Sequence, residues 1–173
     1  MSATSDGERS GLSRRELFAA GAAAGVVATV EAERADADSR SYPRLRVVAL
    51  KSLRVNRPMR FDYPLAAQPN ILLDLGAAVP AGVGPKKSIV AFSSLCQHMG
   101  CDVDYRRGPR EFVCPCHQTR YDPERLASII QGVATRALPR VLLEVRNGAV
   151  YAIGVDGLIY GYRTNLAPGK KAS

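Results

Sequence analysis

The 173-residue sequence has no tryptophan, four phenylalanines, two histidines and four cysteines. With so few aromatic rings, and no basic run interleaved with them, base stacking on nucleic acid is not expected. Any centre built on thiolate or imidazole has only those cysteines and histidines to draw on. Acidic residues are also scarce: 16 Asp and Glu face 24 Lys and Arg, for a formal charge of +8. The uncharged, Ala-rich stretch Leu17–Val30 has only 14 residues. As a helix it would cover about two-thirds of a ~30 Å hydrocarbon core, which is short for a spanning segment. The chain length excludes a large two-domain enzyme and a (β/α)₈ barrel. Apolar residues make up 46%, enough for a packed core.

The charges are unevenly placed. Residues 1–40 carry five Arg against seven Asp and Glu, whereas residues 41–173 carry 19 basic and nine acidic side chains. The basic character belongs to the body, where it suits an acidic protein partner or an anionic surface. In the first forty residues, Ser13-Arg14-Arg15-Glu16-Leu17-Phe18 leads into the Ala-rich stretch. That stretch has the length of a signal h-region. The paired arginines followed by Leu-Phe resemble a twin-arginine export signal. Val30-Glu31-Ala32 and Ala35-Asp36-Ala37 are candidate cleavage sites. The expected location is the periplasm, reached in folded form, with membrane contact only if the leader is retained.

The body reads as all-β. Leu45–Leu53, Asn70–Leu75, Ser88–Ser93 and Glu111–Cys114 are short apolar runs bounded by Gly, Pro or polar turns. The clearest hairpin joins Val141–Val145 to Ala149–Ile153 through Asn147-Gly148, which supplies the positive φ a tight turn needs. A second turn at Asp156-Gly157 leads into Leu158-Ile159-Tyr160. Only Glu124–Gln131 has room for a turn or two of helix, and eleven prolines argue against long ones.

All four Cys and both His lie in two segments, Cys96-Gln97-His98-Met99-Gly100-Cys101 and Cys114-Pro115-Cys116-His117-Gln118-Thr119-Arg120-Tyr121. Such clustering points to a metal centre. Two Cys and two His can hold zinc tetrahedrally, so a structural zinc-binding interaction module is one reading. The finger order of paired Cys followed by paired His is absent.

The arrangement resembles the Rieske iron–sulfur proteins, whose signature is C-x-H-x-G-C in one loop and C-x-C-H-G-S in the other. The resemblance implies an all-β fold: an antiparallel β sandwich or barrel spanning residues 41–173. A small cluster-binding subdomain, at about 92–125, would be inserted in it. It implies a [2Fe-2S] cluster, with Cys96 and Cys114 on one iron and His98 and His117 on the other. Two neutral imidazoles keep their iron at a higher potential than an all-Cys site would. Cys101 and Cys116 match the family's inter-loop disulfide, which suits an oxidising compartment. Thr119 and Tyr121 stand where quinol-oxidising members carry hydroxyls that donate to the cluster and its thiolate, raising the potential. Gln118 departs from the family's usual Gly, and Met99 from its usual Leu.

Gly132–Pro139, Gly154–Gly161 and Arg163-Thr164-Asn165-Leu166, together with the leader, resemble the small subunit of arsenite oxidase. That resemblance implies a non-catalytic electron-transfer subunit in a heterodimer. A large molybdenum–pterin subunit would supply electrons singly, for delivery to a periplasmic cytochrome c or copper protein. No catalytic residue is expected in this chain. The alternative is the Rieske subunit of a quinol-oxidising cytochrome bc-type complex, which would keep a membrane helix.

Overall fold

The computed structural model describes residues 42–166. The twin-arginine leader and its cleavage sites lie outside the described residues. Among those described, no helix is long and apolar enough to cross a membrane.

The chain forms ten strands: β1 Leu45–Ala49, β2 Met59–Asp62, β3 Pro69–Asp74, β4 Ile89–Ser93, β5 Asp104–Arg106, β6 Glu111–Val113, β7 Arg120–Asp122, β8 Ser128–Gln131, β9 Arg140–Arg146 and β10 Ala149–Asp156. Six pair in the order β1-β10-β9-β4-β3-β2, and the other four in the order β5-β6-β7-β8. All the ladders between these strands are antiparallel. The fold is thus all-β, two antiparallel sheets, as the sequence leads one to expect. β4 and β9 pair directly, Ala91 with Val141 and Phe92 with Arg140. Everything between them, including the smaller sheet, therefore emerges from one side of the larger sheet and returns to it.

Side-chain alternation explains how the two sheets are joined. β3 and β4 read as continuous apolar runs because both their faces are buried. Ile71, Leu73, Val90 and Phe92 point into a core shared with Phe112 and Tyr121 of the smaller sheet. Leu72, Ile89 and Ala91 point the other way, onto Val48, Val141, Val150 and Ala152. Phe92 meets Phe112 edge-on at 5.9 Å, a favoured aromatic geometry. The β9–β10 turn has Asn147 at φ 48° and Gly148 at φ 68°, the pair of positive values that matches strand twist in a two-residue hairpin.

The turn of helix expected at Glu124–Gln131 shrinks to a 3₁₀ turn at Pro123–Arg125. Leu126 and Ala127 both take positive φ and end it, and Ser128–Gln131 pairs with β7 instead.

Candidate metal centre

The first Cys/His segment joins β4 of the larger sheet to β5 of the smaller, the second joins β6 to β7 within the smaller sheet, and their backbones repeat one pattern. In the first, Cys96 N–H donates to Cys101 O at 2.9 Å and Gly100 N–H donates to Cys96 O at 2.8 Å. In the second, Cys114 N–H donates to Thr119 O at 2.8 Å and Gln118 N–H donates to Cys114 O at 2.9 Å. Each loop thus closes from its leading Cys onto the fifth residue after it, with the fourth residue left-handed: Gly100 at φ 73°, Gln118 at φ 56°. The loops are also tied covalently by a Cys101–Cys116 disulfide, with Cα atoms 6.5 Å apart.

The remaining donors form two pairs, Cys96 with Cys114 and His98 with His117. The thiols of Cys96 and Cys114 are free and buried, and they belong to the core shared with Phe92 and Phe112. The Nδ1 atoms of His98 and His117 face each other at 3.2 Å, with the His117 ring exposed. Two nitrogens on one tetrahedral metal, at bonds of ~2.0–2.1 Å, stand about 3.3 Å apart. The centre is therefore polar in layout, with thiols inward and imidazoles outward. The sulfurs of Cys101, Cys114 and Cys116 also lie within 4.8 Å of one another. Two of these are consumed by the disulfide, so this trio is not a donor set. Burial pushes the Cys114 thiol above its ordinary pKa, against backbone N–H donation from Cys116. A thiolate in so apolar a setting calls for a bound cation. Donor chemistry and placement both fit a metal group held by two thiolates and two imidazoles.

The hydroxyls differ in their surroundings. Tyr121 Oη lies 3.2 Å from Cys96 Sγ and accepts from Gln97 N–H at 3.3 Å. Burial, then the neighbouring Cys96, push its phenol well above the ordinary value. It stays protonated and able to donate. Thr119 Oγ1 accepts from Val133 N–H at 3.2 Å and Ala134 N–H at 3.4 Å. With its acceptor capacity engaged by the backbone, its own proton is the part left for donation.

Some residues that shape the centre were not singled out from sequence. Gly132 packs onto Thr119, and Tyr160 packs onto Gly100. The only local signal for the first is a lone Gly at the end of a strand pattern.

Comparison with known proteins gives a consistent family. The family model described as "Rieske [2Fe-2S] domain" matches residues 71–153. Over 172 residues the chain is 40% identical to iodate reductase subunit IdrB of Denitromonas iodatirespirans, covering 93% of this chain and 90% of that protein. It is 37% identical to the cytochrome bc1 complex Rieske iron-sulfur subunit of Streptomyces lividans, over 70 residues that make up 39% of this chain and 41% of that one. The solved soluble domain of Rieske protein II from Sulfolobus acidocaldarius superposes with a TM-score of 0.62 at 23% identity, covering 78% of this chain and 88% of that one. This last likeness concerns the fold.

Two expectations are thereby corrected. Relatives that match over nine-tenths of this chain are iodate reductase subunits, which overturns the resemblance to arsenite oxidase. The molybdenum–pterin arsenite-oxidising partner falls with it, as do the cytochrome c and copper-protein acceptors inferred alongside. The physical reason lies in what carried that resemblance. Gly132–Pro139 braces Thr119, and Gly154–Gly161 runs from β10 to the ring over Gly100. What these segments share with that family is packing against the two cluster loops, and such packing does not distinguish one redox partner from another.

Proposed function

The chain belongs to the Rieske [2Fe-2S] family of electron-transfer proteins, and we propose that it is the relay subunit of a reductase complex of the iodate-reductase kind. The observation that carries this reading is 40% identity sustained over 93% of the chain. Likeness to the bc1 subunit, by contrast, is confined to 70 residues.

In this reading Cys96 and Cys114 would hold one iron, and His98 and His117 the other. When bound, the cluster supplies reversible one-electron transfer. The chain's own residues do the rest. The buried thiols keep water from one end, and the His117 edge gives the other end contact with a partner. The Cys101–Cys116 crosslink and the duplicated turns hold both loops in place through the redox change, which limits reorganisation. The hydroxyls of Thr119 and Tyr121 donate toward the centre and favour the more negative, reduced state. A reductase consumes electrons, so the flow runs from an external donor through this chain to its catalytic partner. An extracytoplasmic site is proposed with it, supported by the disulfide.

The test is reoxidation. The reduced chain, mixed with its co-produced catalytic subunit, should be reoxidised on addition of iodate and remain reduced without it. A second reading, the Rieske subunit of a quinol-oxidising cytochrome bc-type complex, is favoured by the similarity around the centre. It predicts reduction by a quinol and no response to iodate.

A further inference from the structure

The carboxylates of the described body are fully engaged. Asp102, Asp104, Glu111, Asp122, Glu124, Glu144 and Asp156 are in ion pairs with arginines. Asp62 and Asp74 accept from backbone N–H groups. The excess of basic residues therefore leaves arginines without an acid. Arg136 is one of these: among the described residues it is in no ion pair. It stands between two adjoining grooves, of about 310 and 270 Å³, that share Gln97, Arg136 and Leu158 as walls.

The grooves adjoin the metal centre. Gln97 is the residue between Cys96 and His98, and its backbone N–H donates to Tyr121 Oη. Tyr160, in the wall of the smaller groove, has its ring on Gly100. Three of the large apolar side chains that the body leaves exposed line this place: Leu126 at 41%, Leu158 at 44% and Tyr160 at 37%. Leu126 is held there by a left-handed backbone, φ 57°. That conformation is costly for a side chain of its size, and such strain persists where the surroundings or a function impose it. Arg140 and Asp156 also line the larger groove, but they neutralise each other at 3.0 Å. The groove thus carries one uncompensated positive charge beside the apolar side chains of Leu126, Leu158 and Tyr160.

We propose that this groove is the docking site for a carboxylate-bearing segment of the catalytic partner protein. The acid would sit on Arg136, and apolar neighbours on Leu126, Leu158 and Tyr160. The proposal rests on the relay reading above and assigns its two partners to different faces. The flank of the first loop binds the catalytic partner, and the exposed His117 edge is left for the other redox partner. An apolar surface around an arginine is the composition of a binding hot spot. The described body of a second copy fits less well, because the carboxylates of its described residues are already engaged.

The experiment measures the affinity of the cluster-loaded chain for its co-produced iodate-reductase-type catalytic subunit. The variants are Arg136→Glu, Leu158→Asp, the double variant and Arg136→Lys. Ile153→Asp, exposed on β10 outside the groove, is the control. The double variant should bind roughly 100-fold more weakly and Arg136→Glu at least about tenfold more weakly. Arg136→Lys and Ile153→Asp should stay close to wild type. The cluster's paramagnetic spectrum, its potential and the rate of oxidation by ferricyanide should be the same in every variant, which shows the centre intact. Wild-type affinity in the double variant overturns the proposal. So does self-association, or binding to anionic vesicles, that is lost in Leu158→Asp while partner affinity is unchanged. If the wild-type chain fails to bind that catalytic subunit, the relay reading falls and the groove's occupant with it.

Discussion

Gly132 is pressed against Thr119. A β-carbon built on Gly132 would stand 2.5 Å from Thr119 Cα and 2.7 Å from its Oγ1. Gly132 also has φ +114°, a conformation that side chains rarely adopt. The segment Gly132–Ala134 thus serves as a backstop for the second loop. It fixes the Thr119 hydroxyl by two N–H donations and by contact. Gly132→Ala should push Thr119 aside, at a cost on the order of 1–3 kcal/mol. Thermal unfolding should show the loss of stability, and voltammetry should show a changed cluster potential. An unchanged potential would mean that Gly132 does not position Thr119.

The hydroxyls themselves should act on the potential in one direction. Thr119→Ala and Tyr121→Phe each remove a donor near the centre, so each should bind the cluster and lower its potential. Both should also lose stability, about 1–3 kcal/mol. Thr119→Ala strands the N–H groups of Val133 and Ala134, and Tyr121→Phe strands that of Gln97. Thr119→Ser keeps the oxygen and should keep the potential. Protein-film voltammetry on the three variants decides this.

The matched turns carry a stability prediction. Gly100 and Gln118 occupy equivalent left-handed positions in the two loops. Only the second bears a side chain, exposed and tied by Gln118 Nε2 to Pro115 O at 3.2 Å. Gln118→Gly should relieve the strain and stabilise the protein by about 0.5–1 kcal/mol, with the cluster retained. Gly100→Ala should do the opposite, because its β-carbon would meet the Tyr160 ring at 2.5 Å. Melting temperatures of the pair provide the test.

Both cluster loops were legible because their chemistry is local. All four Cys and both His fall within them, and the spacing survives without knowledge of the fold. The β9–β10 hairpin was equally plain, from Asn147-Gly148 between two apolar runs. β2, β5, β7 and β8 were not, and the last was expected as part of a helical turn. β5 is three residues long with only Tyr105 turned inward between Asp104 and Arg106, too short for a period of two to register. The groove was invisible for another reason. Gln97, Leu126, Arg136 and Leu158 are brought together only by folding the smaller sheet back onto the larger one.

Stability at high pH should depend on Tyr63. This ring is fully buried, and its hydroxyl donates to Pro43 O at 2.8 Å. Burial, then the charge of Tyr42, push its phenol well above the ordinary tyrosine value. Above pH ~10 the unfolded chain releases this proton while the folded chain keeps it, so the unfolded state binds fewer protons and stability falls as pH rises. Tyr63→Phe should be less stable at neutral pH by about 1 kcal/mol and lose less stability between neutral and strongly alkaline pH. Denaturant titrations of both proteins across that range give the slopes; parallel slopes would refute the assignment.

Two thiolates inside and two imidazoles outside define the proposed centre. Electron paramagnetic resonance of the reduced protein, with its iron content, tests it most directly. The wild-type chain should hold two irons and give a Rieske-type signal, and His117→Ala and Cys96→Ala should each lose both. Bound zinc without iron, or a signal that persists in His117→Ala, would contradict the account.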